Sequence, residues 1–275
     1  MKQLEKLNLS YNQLINVGIL KGLINLNELH LSNNQLDEIT SLGELGKIKE
    51  LSLSHNQLRD TNALKELKEL ETLDLSQNQI TDVSGLVDLK RLRRLNLSYN
   101  KLIDIEALSK LKTLWTLEIS NNQLIDNTAL KEFKDLRELY LSHNKMDDIS
   151  ALRGMGKLRK LHLSDNQLTD ISILKELKEL RELHLSDNQL TEINTLKELK
   201  KLRGLHLADN QLVDINNLRG LKELVELNLA NNQISNINAL KDLKRLWELN
   251  IANNPIPKEQ VEELRRALPD CKIDY

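Results

Sequence analysis

The chain has 275 residues, of which 40% are hydrophobic, so it is long enough to bury a sizeable core. Its 39 Lys and Arg residues against 41 Asp and Glu residues give a formal net charge of −2, which favours neither nucleic acid nor a membrane surface as a partner. Cys271 is the only cysteine, so an intramolecular disulfide is excluded.

The sequence contains no segment that predicts membrane insertion or export. No apolar run reaches the roughly 18 residues of a membrane span. The opening stretch, MKQLEKLNLS, lacks the apolar core of a signal peptide. As written, the chain is therefore expected to be cytoplasmic, and it would be secreted if a leader had been removed.

An internal repeat of 22 residues fills most of the chain. One asparagine marks each repeat: Asn12, Asn34, Asn56, Asn78, Asn100, Asn122, Asn144, Asn166, Asn188, Asn210, Asn232 and Asn254. Apolar residues keep fixed distances from it, and around Asn100 they are Leu92, Leu95, Leu97, Leu102, Ile105, Leu108 and Leu111. This pattern fits neither one amphipathic helix nor a series of hairpins, and it predicts twelve stacked coils.

Each coil is predicted to contain a strand, a bend, a short helical segment and a second bend. The stretch LxLS before the asparagine alternates as a strand does. The spacing of three after it, as in Ile171, Leu174 and Leu177, suits a helical or 3₁₀ turn on the convex side. Ser150 and Ser172 fall where this segment begins, and we expect their side chains to accept its N–H groups.

A single coil of this length encloses no core, so the coils must stack, each covering the leucines of its neighbour. The expected fold class is therefore an α/β solenoid with a parallel sheet of about 12 strands on the concave side. The repeating asparagine lies where each strand ends. Because an amide side chain both donates and accepts, a column of asparagines is expected to satisfy the backbone groups of the bends.

The repeating pattern LxxLxLSxNQLxDIxxLxxLxxL resembles the leucine-rich repeat family over residues 4 to about 256. It is most similar to the 22-residue subclass of internalin-type bacterial proteins and of phosphatase-regulating proteins of eukaryotes. The resemblance implies a right-handed, curved solenoid that serves as a protein-binding surface.

Residues 255–275, PIPKEQVEELRRALPDCKIDY, break the period and predict a cap over the last coil. Pro257 suits the start of a helix, and three apolar residues give that helix one buried face: Val261, Leu264 and Leu268. The domain organisation expected is one continuous domain, with twelve coils over 1–254 and a helix-strand cap over 255–275.

The last residues predict a short strand, because Cys271, Ile273 and Tyr275 alternate with polar residues. In that strand the thiol of Cys271 faces inward and is inert, which we favour over a reactive thiol. At the front, Leu4 and Leu7 begin a coil with no cap before them, so the chain is expected to be a monomer or to pair through this edge.

Sequence variation concentrates on the residues between the strand leucines, which face the concave side. In repeats seven to ten they predict three parallel stripes: arginines seven positions before each asparagine, Tyr140 and three histidines four before it, and aspartates one before it. The candidate partner-binding residues are Trp115, Arg137, Tyr140, Arg159, His162, Asp165, Arg181, His184, Asp187, Arg203, His206 and Asp209. Exposed aromatic residues are common anchors of protein interfaces.

Three functions remain open on the sequence alone. The first is binding of a protein partner through the concave face. The second is a metal or small-ligand site on the stripe of His162, His184 and His206, because imidazoles at a strand spacing of about 5 Å are close enough to share an ion at about 2.1 Å. The third is a designed or consensus scaffold without a natural partner.

Two questions about the histidine stripe also stay open. The stretches LHLSDNQLTD at 161–170 and LHLSDNQLTE at 183–192 are nearly identical, so the histidines could simply reflect copying of one coil. Like-charge repulsion would lower the pKa of the imidazoles whereas nearby aspartates would raise it. A partner bound there could therefore be sensitive to pH near neutrality.

No motif predicts catalysis. The chain has no glycine-rich phosphate loop, nucleophile elbow, cysteine with a matched base, or histidine-glutamate metalloprotease motif. Parallel stripes on an open surface also lack the closed pocket that an active site needs. We therefore predict a chain that is not an enzyme and has no cofactor.

Overall fold

The computed structural model describes residues 3–275. They fall into two compact units, of which unit 1 ends at Leu136 and unit 2 spans Arg137–Tyr275. Unit 1 contains six strands: β1 (Lys6–Asn8), β2 (Glu28–His30), β3 (Glu50–Ser52), β4 (Thr72–Asp74), β5 (Arg94–Asn96) and β6 (Thr116–Glu118). Between and after them lie 3₁₀ turns at Gly18–Leu20, Thr40–Glu44, Asn62–Leu64, Ser84–Leu86, Glu106–Lys110 and Thr128–Glu132. Each strand of unit 1 pairs in parallel with the next.

Unit 2 continues the same plan with seven strands: β7 (Glu138–Tyr140), β8 (Lys160–His162), β9 (Glu182–His184), β10 (Gly204–His206), β11 (Glu226–Asn228), β12 (Glu248–Asn250) and β13 (Lys272–Asp274). Its 3₁₀ turns lie at Ser150–Leu152, Ser172–Glu176, Asn194–Glu198, Asn216–Leu218 and Asn238–Asp242. One α-helix, α1 (Lys258–Ala267), precedes β13. These strands also pair in parallel, each with the next in sequence.

The predicted fold class, an α/β repeat of parallel strands and short 3₁₀ segments, is confirmed. Its core consists of the predicted apolar columns, and in the coil of Asn100 all seven apolar residues are at most 1% exposed. Residues 3–275 contain thirteen strands rather than about twelve, because the cap contributes β13, which pairs with β12. Within residues 3–275, no helix has the length and apolar character needed to cross a membrane.

The asparagine column joins consecutive coils, as the sequence predicts. The Nδ2 of Asn166 donates to Leu163 O in its own coil and to Leu141 O in the preceding coil, both at 3.1 Å. Its Oδ1 accepts from the N–H of Met146, also at 3.1 Å. The amide also donates to Ser164 O at 3.3 Å. Because one buried amide serves four backbone groups at two bends, it holds each bend against its neighbour.

The expected capping of the 3₁₀ turns by serine side chains is wrong. No side chain caps the turns at Ser150–Leu152 and Ser172–Glu176 in the manner expected. Instead, Asp148 and Asp170 accept the N–H of the serine two residues later, each at 2.7 Å. An aspartate on the preceding bend therefore orders the first residue of the turn, and the serine hydroxyl donates back to the same carboxylate.

The cap contains the predicted helix, in which Val261 and Leu264 are buried, and Leu268, also buried, directly follows it. Its last strand is shorter than expected, and only Ile273 is buried in it.

Cys271 lies just before β13 and is half-buried rather than fully enclosed. Burial raises the pKa of its thiol, and the charge of Glu248 adds to the effect, so the reactive thiolate form is disfavoured. The division into twelve coils and a cap within one domain stays a prediction.

We expect the substitution Asn166→Leu to lower the free energy of unfolding by roughly 1–3 kcal/mol, because the buried N–H of Met146 would lose the acceptor Oδ1. Leu163 O and Leu141 O would each lose one of two donors and keep the amide of Asn188 or Asn144. The matched control is Asn12→Leu. Asn12 is exposed and donates only to Leu9 O and Ser10 O. Denaturant unfolding should show a clearly larger loss for Asn166→Leu, and equal midpoints would contradict the role given to the asparagine column.

Candidate functional site

The strands of unit 2 bring four ring side chains into one column. Register places Tyr140 opposite His162, His162 opposite His184, and His184 opposite His206. In each strand the central leucine is buried, so the residues on either side of it share the outer face of the sheet. Four residues separated by 22 positions in sequence thus become direct neighbours.

The rings of this column are in contact. The centroids of His162 and His184 are 3.9 Å apart with an interplanar angle of 20°, and those of His184 and His206 are 4.2 Å apart at 23°. Tyr140 lies against His162 at 4.5 Å with a tilt of 59°. The predicted histidine stripe is therefore a continuous stack that ends in a tyrosine.

A carboxylate that the sequence analysis did not single out connects two of these histidines. Oε1 of Glu182 lies 3.1 Å from Nε2 of His162 and 3.2 Å from Nε2 of His184. Its other oxygen lies 3.1 Å from Nζ of Lys160. Glu182 precedes His184 by two residues in the same strand, and this i, i+2 spacing in RELHL was the signal available in the sequence.

Burial lowers the pKa of all three histidines and is the largest effect on each. Glu182 opposes this effect at His162 and His184. The pKa of His184 falls to about 4, because the neighbouring His162 and His206 add like-charge repulsion. The column is therefore an uncharged aromatic surface at neutral pH.

The predicted arginine stripe lies immediately before the strands. Arg137, Arg159, Arg181 and Arg203 are all exposed. The N–H of Arg159 donates to Arg137 O, and that of Arg181 to Arg159 O, each at 2.8 Å, which fixes the spacing of this stripe. The arginines thus form a basic border to the ring column.

An open depression of about 410 Å³ lies beside the rings, and it is lined by Arg181, Glu182, Arg203, Gly204, Val225 and Glu226. Gly204 occupies the first position of β10, where neighbouring strands carry side chains. A Cβ at Gly204 would meet only Glu182 Cγ at 3.8 Å, an ordinary contact. The backbone therefore does not require glycine at this position. The missing side chain of Gly204 leaves the depression open.

The predicted aspartate stripe has a backbone explanation that the sequence analysis missed. Asp165, Asp187 and Asp209 adopt left-handed backbone with φ of 53° to 54°, as does every residue that directly precedes a repeat asparagine. Asn, Asp and His tolerate this conformation better than most residues. The carboxylates still interact with each other: burial raises the pKa of Asp187, and the charges of Asp209 and Asp165 add to the shift.

His143, a further residue absent from the predicted site, lies in this same column. Its Nδ1 is 2.5 Å from Oδ2 of Asp165. The acidic stripe is therefore bordered by an imidazole on one side.

Trp115 belongs to unit 1, whereas the other predicted site residues belong to unit 2. It is half-buried, and the guanidinium of Arg93 lies 4.4 Å from its ring centroid. This cation–π contact accounts for part of its surface within its own unit. The role of Trp115 in binding stays a prediction.

The family described as "Leucine Rich repeats (2 copies)" matches residues 2–44, 47–88, 156–198, 178–223 and 200–242. Further leucine-rich repeat families match residues 91–111 and 125–168. Among curated proteins, none matches the chain.

Solved structures share the fold across the whole chain. The internalin inlF of Listeria monocytogenes is 28% identical with a TM-score of 0.93, and the match covers 99% of this chain and 80% of that one. The Leptospira interrogans LRR protein LIC12759 is 34% identical with a TM-score of 0.94, over 100% of this chain and 73% of that one. The PEPR1–AtPEP1 structure is 25% identical with a TM-score of 0.72, over 92% and 42% of the two chains.

We expect nuclear magnetic resonance titration to place the pKa of His184 at about 4, well below that of an ordinary histidine. The unfolded chain then binds more protons than the folded chain between roughly pH 6.5 and the folded pKa. The stability contributed by the neutral ring is complete above that window and is lost as the pH falls through it. Denaturant unfolding at about pH 7.5 and about pH 5 should show a smaller decrease in His184→Asn than in the unaltered chain.

We expect Asp187→Val to destabilise the chain by about 1–3 kcal/mol, because a β-branched residue is strained in left-handed backbone. Asp187→Asn should be close to neutral, since asparagine tolerates this backbone and fills the same column at Asn121 and Asn231. Thermal unfolding of the two variants separates the backbone requirement from the charge. A large loss in Asp187→Asn would assign the stabilisation to the carboxylate instead.

Proposed function

The chain belongs to the leucine-rich repeat family, and on that basis we propose that it is a non-catalytic module that binds a protein partner through the sheet face of unit 2. The observation that carries the proposal is the ring stack of Tyr140, His162, His184 and His206. The leucine-rich repeat fold is generally an interaction scaffold, and its relatives include structures solved with a bound ligand, such as PEPR1 with AtPEP1.

The physical character of this face supports a protein as the partner. Stacked, half-buried rings lose little side-chain entropy on binding and offer apolar area together with polar edges, which is typical of interface anchors. Arginines border the stack on one side and aspartates on the other. A partner that carries complementary charges on both sides of an apolar strip would be oriented by these borders.

The open shape of the face argues against a small ligand as the main partner. Drug-sized ligands are held in clefts that enclose most of their surface. The depression next to Gly204 is instead open and bordered by the charged side chains of Arg181, Glu182, Arg203 and Glu226. It suits the insertion of one side chain from a larger partner whose remaining surface lies on the ring stack.

The binding residues proposed are those of unit 2 predicted from the sequence: Arg137, Tyr140, Arg159, His162, Asp165, Arg181, His184, Asp187, Arg203, His206 and Asp209. To these the depression adds Glu182 and Gly204. We propose no cofactor for this function. Edge pairing through β1 stays a prediction that light scattering at several concentrations would test.

The experiment measures the affinity of a partner that has been recovered on the immobilised chain and then purified. We expect Tyr140→Ala to weaken binding by roughly 10- to 30-fold, the loss expected when an anchor worth about 1.4–2 kcal/mol is truncated. Gly204→Thr, which fills the depression with a residue found at the same position in Thr72 and Thr116, should weaken it as well.

The matched control is the double variant Lys175→Ala/Lys197→Ala, which changes exposed residues on the 3₁₀ turns of unit 2. It should bind the partner as the unaltered chain does. Equal weakening by the control, or unchanged affinity in both face variants, would place the interface elsewhere.

A further inference from the structure

We propose that His162, Glu182 and His184 form a binding site for one divalent transition-metal ion, of which Zn²⁺ is the representative probe. The two histidines end adjacent strands and face each other in register, and Glu182 begins the second strand. One ring nitrogen of each histidine and one carboxylate oxygen of Glu182 all lie within 4.8 Å of one another. This inference is independent of the proposed protein partner, because it concerns the chain alone.

The distances between the candidate ligand atoms suit an ion of this size. A tetrahedral ion with bonds of about 2.1 Å holds its ligand atoms about 3.4 Å apart. Oε1 of Glu182 is already 3.1 Å and 3.2 Å from the two Nε2 atoms. An imidazole binds an ion in its own plane, and these two rings are stacked at only 20° to each other, so both side chains must rotate out of the stack to point the three ligand atoms at a common centre. Solvent fills the remaining position.

The donor set selects the class of ion. Two imidazole nitrogens and one carboxylate oxygen suit Zn²⁺, Cu²⁺ and Ni²⁺. Ca²⁺ and Mg²⁺ prefer sites made entirely of oxygen ligands. The predicted site of three histidines is thereby revised: His206 stacks on His184 at 4.2 Å but is not among the convergent atoms, and Glu182 takes its place.

The charge states of the three residues favour binding, whereas the tautomer of both rings must change. An ionised carboxylate only accepts, so each Nε2 facing Glu182 carries the ring proton, and an ion at Nε2 requires that proton to move to Nδ1. Burial keeps the pKa of both imidazoles below the usual range, so neither ring carries a positive charge at neutral pH. Burial opposes ionisation of Glu182, but Lys160 and His162 outweigh it and lower the pKa of its carboxyl.

Lys160 is the positioning residue of this site. Its ammonium group lies 3.1 Å from Oε2 of Glu182, which leaves Oε1 facing the histidines. Partners of this kind fix the orientation of metal ligands and raise affinity. The positive charge of Lys160 also repels a divalent ion, so the affinity expected is below that of a closed structural zinc site.

Unit 1 contains the same arrangement with one ligand missing. Lys6 and Glu28 form an ion pair, and His30 Nε2 lies 3.1 Å from Glu28 Oε1. The residue in register with His30 on the preceding strand is Asn8, where the site in unit 2 has His162. Glu28 in unit 1 therefore contacts one imidazole, whereas Glu182 in unit 2 contacts two. The cluster in unit 1 is an internal control for metal binding.

The test is calorimetric titration of Zn²⁺ into the whole chain, without an added histidine tag and after treatment with a chelator, at about pH 7.5 where the ligands are deprotonated. We expect one equivalent to bind. His162→Asn and His184→Asn should each weaken binding by at least about 10-fold, since even loss of a residue that only orients a ligand costs this much. Asparagine occupies the same column at Asn96, Asn228 and Asn250, so the fold is expected to persist.

Three further variants define the ligand set. Glu182→Gln should also weaken binding, whereas His30→Asn and Lys175→Ala should leave the affinity unchanged. With Co²⁺ in place of Zn²⁺, the visible absorption of a low-coordinate ion should appear in the unaltered chain and disappear in His184→Asn. Absence of binding, binding that survives both His162→Asn and His184→Asn, or an equal loss in His30→Asn would overturn the proposal.

Discussion

The repeated hydrogen bonds of one asparagine per coil, buried in all coils but the first and the last, are the constraint on which the rest of the structure depends. Asn188 shows the pattern: its amide donates to Leu185 O and Leu163 O, and it accepts from the N–H of Leu168. Because one side chain satisfies a bend in its own coil and a bend in the coil before, neighbouring coils within a unit are locked at the same register. Leucine packing alone would tolerate sliding, since apolar contacts are not directional.

Because the coils keep this register, the 22-residue period of the sequence determines which side chains are neighbours on the sheet surface. Residues 22 positions apart become neighbours at strand spacing, so a residue repeated in three coils becomes a stack rather than three separate side chains. His162, His184 and His206 demonstrate the consequence, because burial beside one another holds all three rings neutral. In the aspartate column, burial raises the pKa of Asp187, and the charges of Asp209 and Asp165 raise it further, so a charged residue repeated in successive coils repels itself.

The fold could be predicted from the sequence because each core column consists of apolar residues at a fixed distance from the repeat asparagine, and these distances can be read directly from the sequence. It was not sufficient for the site, because the contact of Glu182 with His162 joins adjacent strands and depends on side-chain rotamers that no period specifies. The sequence analysis assigns Asp165, Asp187 and Asp209 to binding alone, although left-handed backbone also selects them. Cys271 was placed in the strand, but pairing with β12 starts one residue later, at Lys272.

The three histidine-bearing coils are not exact copies of one another. Copying accounts for the shared stretches LHLSDNQL at 161–168 and 183–190 and LHLADNQL at 205–212. It does not account for the first residue of each strand, which is Lys160, Glu182 and Gly204 in turn. These three residues lie on the same face as the histidines, so three similar coils present a cation, an anion and an open depression beside identical rings. The coils therefore differ at solvent-facing positions beside the histidines, and a surface that distinguishes one partner from another requires such differences.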